Sequence, residues 1–422
     1  MKYKEKDILS LLPALYATDQ IVKQRRRYQM LVKKFESIYA SEKYLLFCTP
    51  GRTELSGNHT DHNHGRVLAA SVDLDIIAVA AASATDTISV YSEGYEKPFK
   101  VDLASFDSRK EERSTTNALI RGVAAGFRKH GFKTAGFNAC LHSQVLPGSG
   151  LSSSAAVEVI LATIFNTLFN GDQVSPETLA KIGQFAENEY FGKPCGLMDQ
   201  MACAVGGIVG IDFKDPSKPQ VKKIKVDFDK FGYALLVVNT GGSHVDLTAD
   251  YAAVPTEMKE VARAFGKSVC RELNQRQLLS SMRKLRSSLS DRSILRAYHF
   301  LTENQRVNDQ IRALEKQDFG QFLSLFNDSG ASSFRWLQNI YSPNNVKEQG
   351  LTLALALTEH FFGQTEKGAC RVHGGGFAGT ILVLLRRNLV DRYKALIEPV
   401  FGKESVSALR IRNRGTTCLT QR

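Results

Sequence analysis

Leu146-Pro147-Gly148-Ser149-Gly150-Leu151-Ser152-Ser153-Ser154-Ala155-Ala156 joins a strand-like run, Phe137 to Leu146, to a helix-like run, Ala155 to Phe169, through residues that are nearly all small. A turn of this kind is a phosphate cradle. Its glycines let the backbone approach an anion closely, the hydroxyls of Ser152, Ser153 and Ser154 offer donors or a metal ligand, and the helix that follows directs its unpaired N–H groups and positive dipole end at the same spot. The lysine of a Walker loop is missing: Gly266-Lys267-Ser268 has Val261 where the first glycine of that motif would stand. Taken alone, the stretch also reads as a serine-capped helix after a turn.

Composition narrows the field. A chain of 422 residues, 43% hydrophobic, can bury a full core and exceeds one typical domain, so two domains are expected. No apolar run reaches membrane-spanning length and Met1-Lys2-Tyr3-Lys4-Glu5-Lys6 lacks a signal-peptide core, which predicts a cytoplasmic protein with no membrane partner. The seven cysteines are dispersed and never form Cys-x-x-Cys, so reduced, packed thiols are expected. The net charge of +12 is scattered apart from Lys23 to Arg27 and the 276–296 region, without the basic, aromatic-interleaved stripe of a nucleic-acid binder. A positive field still favours capture of a polyanion.

Periodicity predicts two helices within 8–40 (Ile8, Leu11, Leu12, Leu15; Met30, Leu31, Phe35, Tyr39) and a first strand at Tyr44 to Cys48. Short β-rich runs follow at Arg66 to Ala82, Thr87 to Tyr91 and Phe137 to Leu146, with a helix at Thr116 to Lys129. Further strands are expected at Ile208 to Phe213, Val221 to Phe228 and Tyr233 to Asn239, then a mostly helical stretch to about Phe362, then strands at Gly368 to Val372 and Thr380 to Leu385. The irregular alternation points to α+β layers rather than a doubly wound sheet. Gly374-x-Gly376-x-x-Gly379 fits the dinucleotide fingerprint literally, but the strand-like Thr380 to Leu385 follows where that loop would open a helix.

Four segments in order carry a resemblance. The opening stretch resembles Pro-x-x-x-Gly-Leu-Ser-Ser-Ser-Ala of the GHMP kinases (galactokinase, homoserine kinase, mevalonate kinase, phosphomevalonate kinase). Pro50-Gly51-Arg52-Thr53-Glu54-Leu55-Ser56-Gly57-Asn58-His59-Thr60-Asp61-His62 resembles the galactokinase signature Pro-Gly-Arg-Val-Asn-Leu-Ile-Gly-Glu-His-Thr-Asp-Tyr. Cys195-Gly196-Leu197-Met198-Asp199-Gln200 resembles its Cys-Gly-Ile-Met-Asp-Gln, and Gly374-Gly375-Gly376-Phe377-Ala378-Gly379 its closing Gly-Gly-Gly-Phe-Gly-Gly. The resemblance implies a two-domain α+β GHMP kinase fold with the active site in the cleft between domains. It divides the chain into an N-terminal domain at 1–180, to which a last strand at about 405–422 returns, and a C-terminal domain at 181–404. Beside the family, the N-terminal lead-in is somewhat long.

The implied activity is phosphorylation of the anomeric hydroxyl of D-galactose by ATP with Mg2+, in a monomer or weak homodimer. The alternatives are another monosaccharide, such as an N-acetylhexosamine or a pentose, and a non-catalytic sugar and ATP sensor that regulates transcription. Intact Ser154-Ala155-Ala156, Arg52 and Asp199 favour the enzyme.

Phosphoryl transfer requires a held triphosphate, neutralised charge and an oriented acceptor. By resemblance Asp199 faces the sugar's anomeric hydroxyl as base or electrostatic anchor, and Arg52 lies beside it and the transferring phosphate. Pro147, Gly148, Ser149, Gly150, Leu151, Ser152, Ser153 and Ser154 form the nucleotide loop. Ser154 and Glu187, twelve residues before Asp199, are the magnesium candidates, with Glu189 competing. Asn58, His59, Asp61, Gly196 and Tyr251 are expected on the sugar. Read without the family, His59, Asp61, His62 and His64 suggest a metal cluster and hence a metallohydrolase, although no complementary cluster lies downstream. Several residues depart from the family pattern: Asn58 stands for Glu, Glu54 for Asn, His62 for Tyr, and Val372-His373 for Met-Thr. Ala378 replaces Gly, and Ser342-Pro343-Asn344-Asn345 replaces Cys-Pro-Glu-Leu. These changes bear on substrate identity more than on reaction type, because hydroxyl recognition depends on each donor and acceptor match.

Overall fold

The structure is a computed structural model and describes residues 11–41, 43–145, 150–242, 247–365 and 368–420. Helix α1 (Ile21–Tyr39) leads into strand β1 (Leu45–Ser56) and the long β2 (Arg66–Ala82), then β3 (Thr87–Ser92), β4 (Phe99–Asp102), α2 (Thr116–Lys129) and β5 (Phe137–Ser143). Helices α3 (Ser153–Asn170) and α4 (Pro176–Phe185), a π-helical turn at Ala186–Phe191, and α5 (Met198–Val205) precede β6 (Ile208–Asp212) and β7 (Gln220–Ile224). After β8 (Tyr233–Asn239) come α6 (Thr248–Ala264), the short α7 (Gln275–Ser280) and α8 (Met282–Arg286), α9 (Asp291–Glu315), α10 (Phe319–Ser332) and a second π-helical turn at Ser333–Leu337. The chain closes with α11 (Gly350–Gly363), β9 (Ala369–His373), β10 (Thr380–Arg386), α12 (Val390–Phe401), β11 (Val406–Leu409) and β12 (Thr417–Cys418).

Among the described residues the strands form two sheets. The larger has the order β12-β1-β2-β5-β3-β4. β2 pairs with β1 along one edge; its other edge is shared, the first half with β6 and the second with β5. β3 and β5 pair in parallel and the other neighbours are antiparallel. The smaller sheet, β11-β8-β10-β9, is antiparallel throughout.

Alternation along β2 explains why it reads as a continuous apolar run. Ile76, Ala78 and Ala80 face the main core with α3, while Ile77, Val79 and Ala81 face Tyr28, Leu31 and Phe35 of α1. A sheet covered on both faces has no solvated side to mark with polar residues. The N-terminal lead-in therefore has a structural task, covering the second face of β1, β2 and β5. α3 is long and apolar enough to cross a membrane, but 67% of it is buried inside the fold, as befits a core helix. Local signals set the helix starts: Ser175 accepts from Thr178 N ahead of Pro176, and Thr115 accepts from Ala118 N.

The structure bears on four expectations. Of the two helices expected before β1, the second is α1; the first falls largely outside the described residues, which open with a helical Leu11 and continue through 3-10 turns at Leu12–Ala14 and Thr18–Gln20. Residue 180, the expected boundary, lies inside α4, and the first sheet continues past it through β6 and β7, with β6 pairing Arg66 to Ala70 on the edge that β5 leaves free. The last strand is divided. β11 extends the second sheet along β8, and only past it does the chain cross back, through a Val72–Ile411 bridge, to pair β12 with β1. The strand expected at Val221 to Phe228 ends at Ile224, and a 3-10 turn occupies Phe228–Phe231.

Candidate active site

The ladder between β1 and β2 slips between Pro50–Asp75 and Arg52–Ser71. Gly51 occupies the slip, where a Cβ would lie 3.1 Å from the Leu151 carbonyl oxygen. The loop after the cradle thus rests directly on β1, and Arg52 N donates to the same carbonyl at 3.1 Å. From this position the Arg52 guanidinium forks onto Asp199, Nε to Oδ1 at 2.7 Å and Nη2 to Oδ2 at 2.8 Å, while Nη1 donates to Gly150 O at 2.6 Å. Ser152 Oγ donates to Asp199 Oδ2 as well. Ser152 precedes α3 in a left-handed conformation and does not cap the helix with its side chain. Its hydroxyl serves the carboxylate instead.

The Asp199 side chain is 31% exposed, so one side of it stays open. Burial alone would raise its carboxyl, but the Arg52 charge and the hydrogen bonds from Arg52 and Ser152 outweigh this and hold it below the ordinary aspartate value. Arg52 in turn stays charged against its own burial because Asp199 faces it. The result is an oriented, ionised carboxylate with an open face, suited to accept a proton or to anchor a hydroxyl.

A second cluster lies two residues on from Ser152, at the start of α3. Ser154 Oγ donates to Glu187 Oε1 at 3.0 Å, and Lys193 Nζ lies 3.7 Å from the same oxygen. Glu187 belongs to the π-helical turn, a distortion common at functional sites, whereas Glu189 faces solvent. The other Glu187 oxygen accepts from Gln200 Nε2 at 2.9 Å, and that nitrogen also donates to Glu158 Oε2 at 2.9 Å. Burial, and then the charge of Glu187, push the Glu158 carboxyl well above its ordinary value. Sequence reasoning gave Glu158 and Gln200 no role. A signal was present, since Glu158 is the one charged residue in the run from Ala155 to Phe169, four residues after Ser154.

The segment 57–61 meets the glycine turn after β9. Asn58 Nδ2 donates to Gly374 O at 2.6 Å, His59 Nε2 to Gly375 O at 2.8 Å, and Tyr251 Oη to Gly376 O at 2.9 Å, so three successive carbonyls receive three of the predicted site residues. Asp61 lies against Gly196, where a Cβ would stand 1.6 Å from Asp61 Oδ2; only glycine fits. Burial pushes His59 down to about 3. His373, one of the departures, is enclosed beneath Gly150, bonded to Thr380 Oγ1 at 3.0 Å and Thr53 Oγ1 at 3.1 Å. Burial, then the charges of Arg52 and Arg371, keep it neutral.

Asn58, expected on the sugar, has its side chain turned to protein groups. Its side chain is fully buried, Nδ2 also donates to Glu54 Oε1 at 2.9 Å, and Oδ1 accepts from Asn339 Nδ2 at 2.7 Å, which leaves no free group for a sugar. Arg52, Asp199, Gly150, Leu151, Ser152, Ser153, Ser154 and Glu187 gather where α3 and α5 begin, His59 and Tyr251 bond to the glycine turn, and Asp61 lies against Gly196. Pro147, Gly148 and Ser149 lie outside the described residues. Among the described residues no three His, Cys, Asp or Glu side chains converge as a metal cage.

The chain matches the family model of the GHMP kinases N terminal domain over residues 118–207 and that of the galactokinase galactose-binding signature over residues 33–82. It is 29% identical to a galactokinase of Streptomyces coelicolor over 386 residues, 90% of this chain and 94% of the relative. A galactokinase of Clostridium acetobutylicum is 27% identical over 86% of this chain and 91% of its own length. Among solved structures, Lactococcus lactis galactokinase complexed with galactose superposes with a TM-score of 0.78 at 22% identity, covering 91% of this chain and 98% of that one. Methanococcus jannaschii mevalonate kinase gives 0.58 at 15% identity, covering 87% and 98%. At these identities the structural matches speak for the fold.

Proposed function

We infer that this chain, a GHMP kinase of the galactokinase branch, transfers the terminal phosphoryl group of ATP to the anomeric hydroxyl of D-galactose, giving galactose 1-phosphate and ADP. The observation that carries the reading is the fork of Arg52 on Asp199 with Ser152 on the same carboxylate, at the point where the serine-rich loop opens α3. Asp199 presents an ionised oxygen to the acceptor hydroxyl and takes its proton or its hydrogen bond as the new phosphorus–oxygen bond forms. Arg52 holds that carboxylate, lies beside the loop that cradles the phosphates, and provides permanent positive charge where negative charge spreads during transfer. The backbone N–H groups at the start of α3 add donors and a positive dipole end for the triphosphate.

Magnesium fits the residues present: Ser154 Oγ and Glu187 Oε1 are hard oxygens 3.0 Å apart, and Lys193 is already drawn to the glutamate. When bound, the ion neutralises phosphate charge. Gln200 and Glu158 orient the glutamate that would hold it. On the sugar side, His59, Asp61, Gly196 and Tyr251 offer a neutral imidazole, a carboxylate, a close backbone approach and a phenol, a set suited to hydroxyl recognition. Seven cysteines without a disulfide suit the cytoplasm.

The test is a coupled ADP-release assay with ATP and magnesium over a panel of hexoses, pentoses and N-acetylhexosamines, with the product located by phosphorus NMR. Galactose-dependent ADP release with phosphate on the anomeric oxygen is the expected result. Release independent of sugar, or phosphate on another oxygen, overturns the reading.

A further inference from the structure

Glu54 and Asn58 sit four residues apart, at the end of β1 and on the turn after it, and their side chains meet: Asn58 Nδ2 donates to Glu54 Oε1 at 2.9 Å. Both are buried. The galactokinase signature has Asn at the first position and Glu at the second, so this chain carries the same two side chains exchanged. Around them the contacts are one-directional. Arg371, wholly buried on β9, donates Nη2 to Glu54 Oε1 at 2.9 Å, and its Nε and Nη1 find no hydrogen-bond acceptor among the described residues. Asn58 needs its amide hydrogens for Glu54 and for Gly374 O at 2.6 Å, and its oxygen for Asn339 Nδ2 at 2.7 Å. Asn339 ties the same knot from the far side, donating to Gly375 O at 3.1 Å and accepting from Phe377 N at 2.5 Å.

These contacts make the two positions interdependent. A carboxylate at 58 would put bare oxygens against Glu54 and Gly374 O with no proton between them, and a neutral side chain at 54 would leave Arg371 as a buried cation without its counter-ion. An amide at 58 and a carboxylate at 54 satisfy both amide donors and the oxygen of Asn58 and give Arg371 its counter-ion. The same amide links the first sheet to the glycine turn whose next two carbonyls receive His59 and Tyr251.

We propose that Glu54 and Asn58 form a matched, specificity-determining pair, in which Glu54 fixes the Asn58 amide on the Gly374 carbonyl and so sets the position of the glycine turn and of the sugar-side groups bonded to it. Both are positioning residues. Recognition of the sugar then falls to His59, Asp61 and Tyr251, without a carboxylate from position 58. The proposal rests on the sugar-kinase reading for its specificity arm; its structural arm is read without substrate.

The experiment is a double-mutant cycle of Glu54→Asn, Asn58→Glu and the combined variant, followed by thermal melts and by kcat/KM over the sugar panel. Each single change lowers Tm and reduces kcat/KM for all sugars by about 10²-fold, the scale of a buried polar mismatch. The combined variant regains the contact between positions 54 and 58 but not the bond to Gly374 O, so it stays below wild type, loses less Tm than the two single losses summed, keeps a kcat/KM at least about tenfold above the product of the single-variant losses, and ranks the sugars in a new order. Additive losses in the combined variant overturn the pairing, and recovery with an unchanged sugar order overturns the specificity role. If Asn58→Glu does not fold, the milder cycle of Glu54→Gln and Asn58→Asp replaces it on the same criteria. Wild-type protein inactive on every sugar refutes the kinase reading separately; the thermal cycle, and sugar-dependent Tm shifts across the panel, then decide the proposal.

Discussion

Asp199→Asn separates chemistry from stability. The carboxylate accepts two N–H bonds from Arg52 and one O–H bond from Ser152. Asparagine keeps the shape but offers one oxygen and turns an NH2 toward a guanidinium that can only donate. One charge-assisted bond is lost and one donor left facing a donor, which in an enclosed site costs about 1.5–3 kcal/mol. With the carboxylate 31% exposed, water relieves part of that, and a loss of about 1–2 kcal/mol is expected, a Tm decrease of a few degrees. The effect on turnover is larger. Removing the group that accepts or orients the hydroxyl proton reduces kcat by about 10²- to 10⁴-fold, equivalent to about 3–5 kcal/mol of barrier. The assay is coupled ADP release at saturating galactose and ATP, alongside melts and nucleotide binding by calorimetry. Folded Asp199→Asn protein that binds ATP as wild type and turns over within about tenfold of it would refute the role given to Asp199.

Ser154→Ala and Glu187→Gln should each raise the magnesium concentration needed for half-maximal activity and weaken magnesium-dependent ATP binding in calorimetry, with little change in sugar binding measured without nucleotide; unchanged magnesium dependence in both removes them from the metal site. Gly196→Ala should raise the KM for sugar by an order of magnitude or more, because the new methyl would stand 1.6 Å from Asp61 Oδ2, whereas an unaltered KM would mean that Asp61 lies off the sugar path. Acid should destabilise the protein through its buried histidines. His59, at about 3, and His299 and His373, also lowered by burial, take up protons less readily in the fold than in the unfolded chain, so stability falls as pH drops below about 6.5, by up to about 1.4 kcal/mol per pH unit for His59 and in the same direction for the other two. His299→Gln, away from the proposed chemistry, should flatten the slope in urea melts just below pH 6.5, and an identical slope would show that His299 does not contribute.

The proposed reaction class is legible in the sequence because it depends on local chemistry at short spacing. Small residues before an apolar helical run specify a loop that an anion can approach, and Pro50-Gly51-Arg52 and Gly196 to Asp199 each place a charged residue beside a glycine that permits close contact. Helix α2 and strand β8 were predicted residue for residue, since 3.6- and 2-residue periodicities are written along the chain. Tertiary structure decided the rest. Whether β11 joins the second sheet or returns to the first depends on which edge is open, and no local pattern records that. The two-sided burial of β2 is what assigns the N-terminal helix its place, as the sequence shows an apolar run but not the second layer that covers it. Asn58 is the sharpest case. Its motif position pointed to the sugar, yet an amide can turn both its donors inward, and only the approach of Glu54, Gly374 and Asn339 from three distant parts of the chain determines that it does.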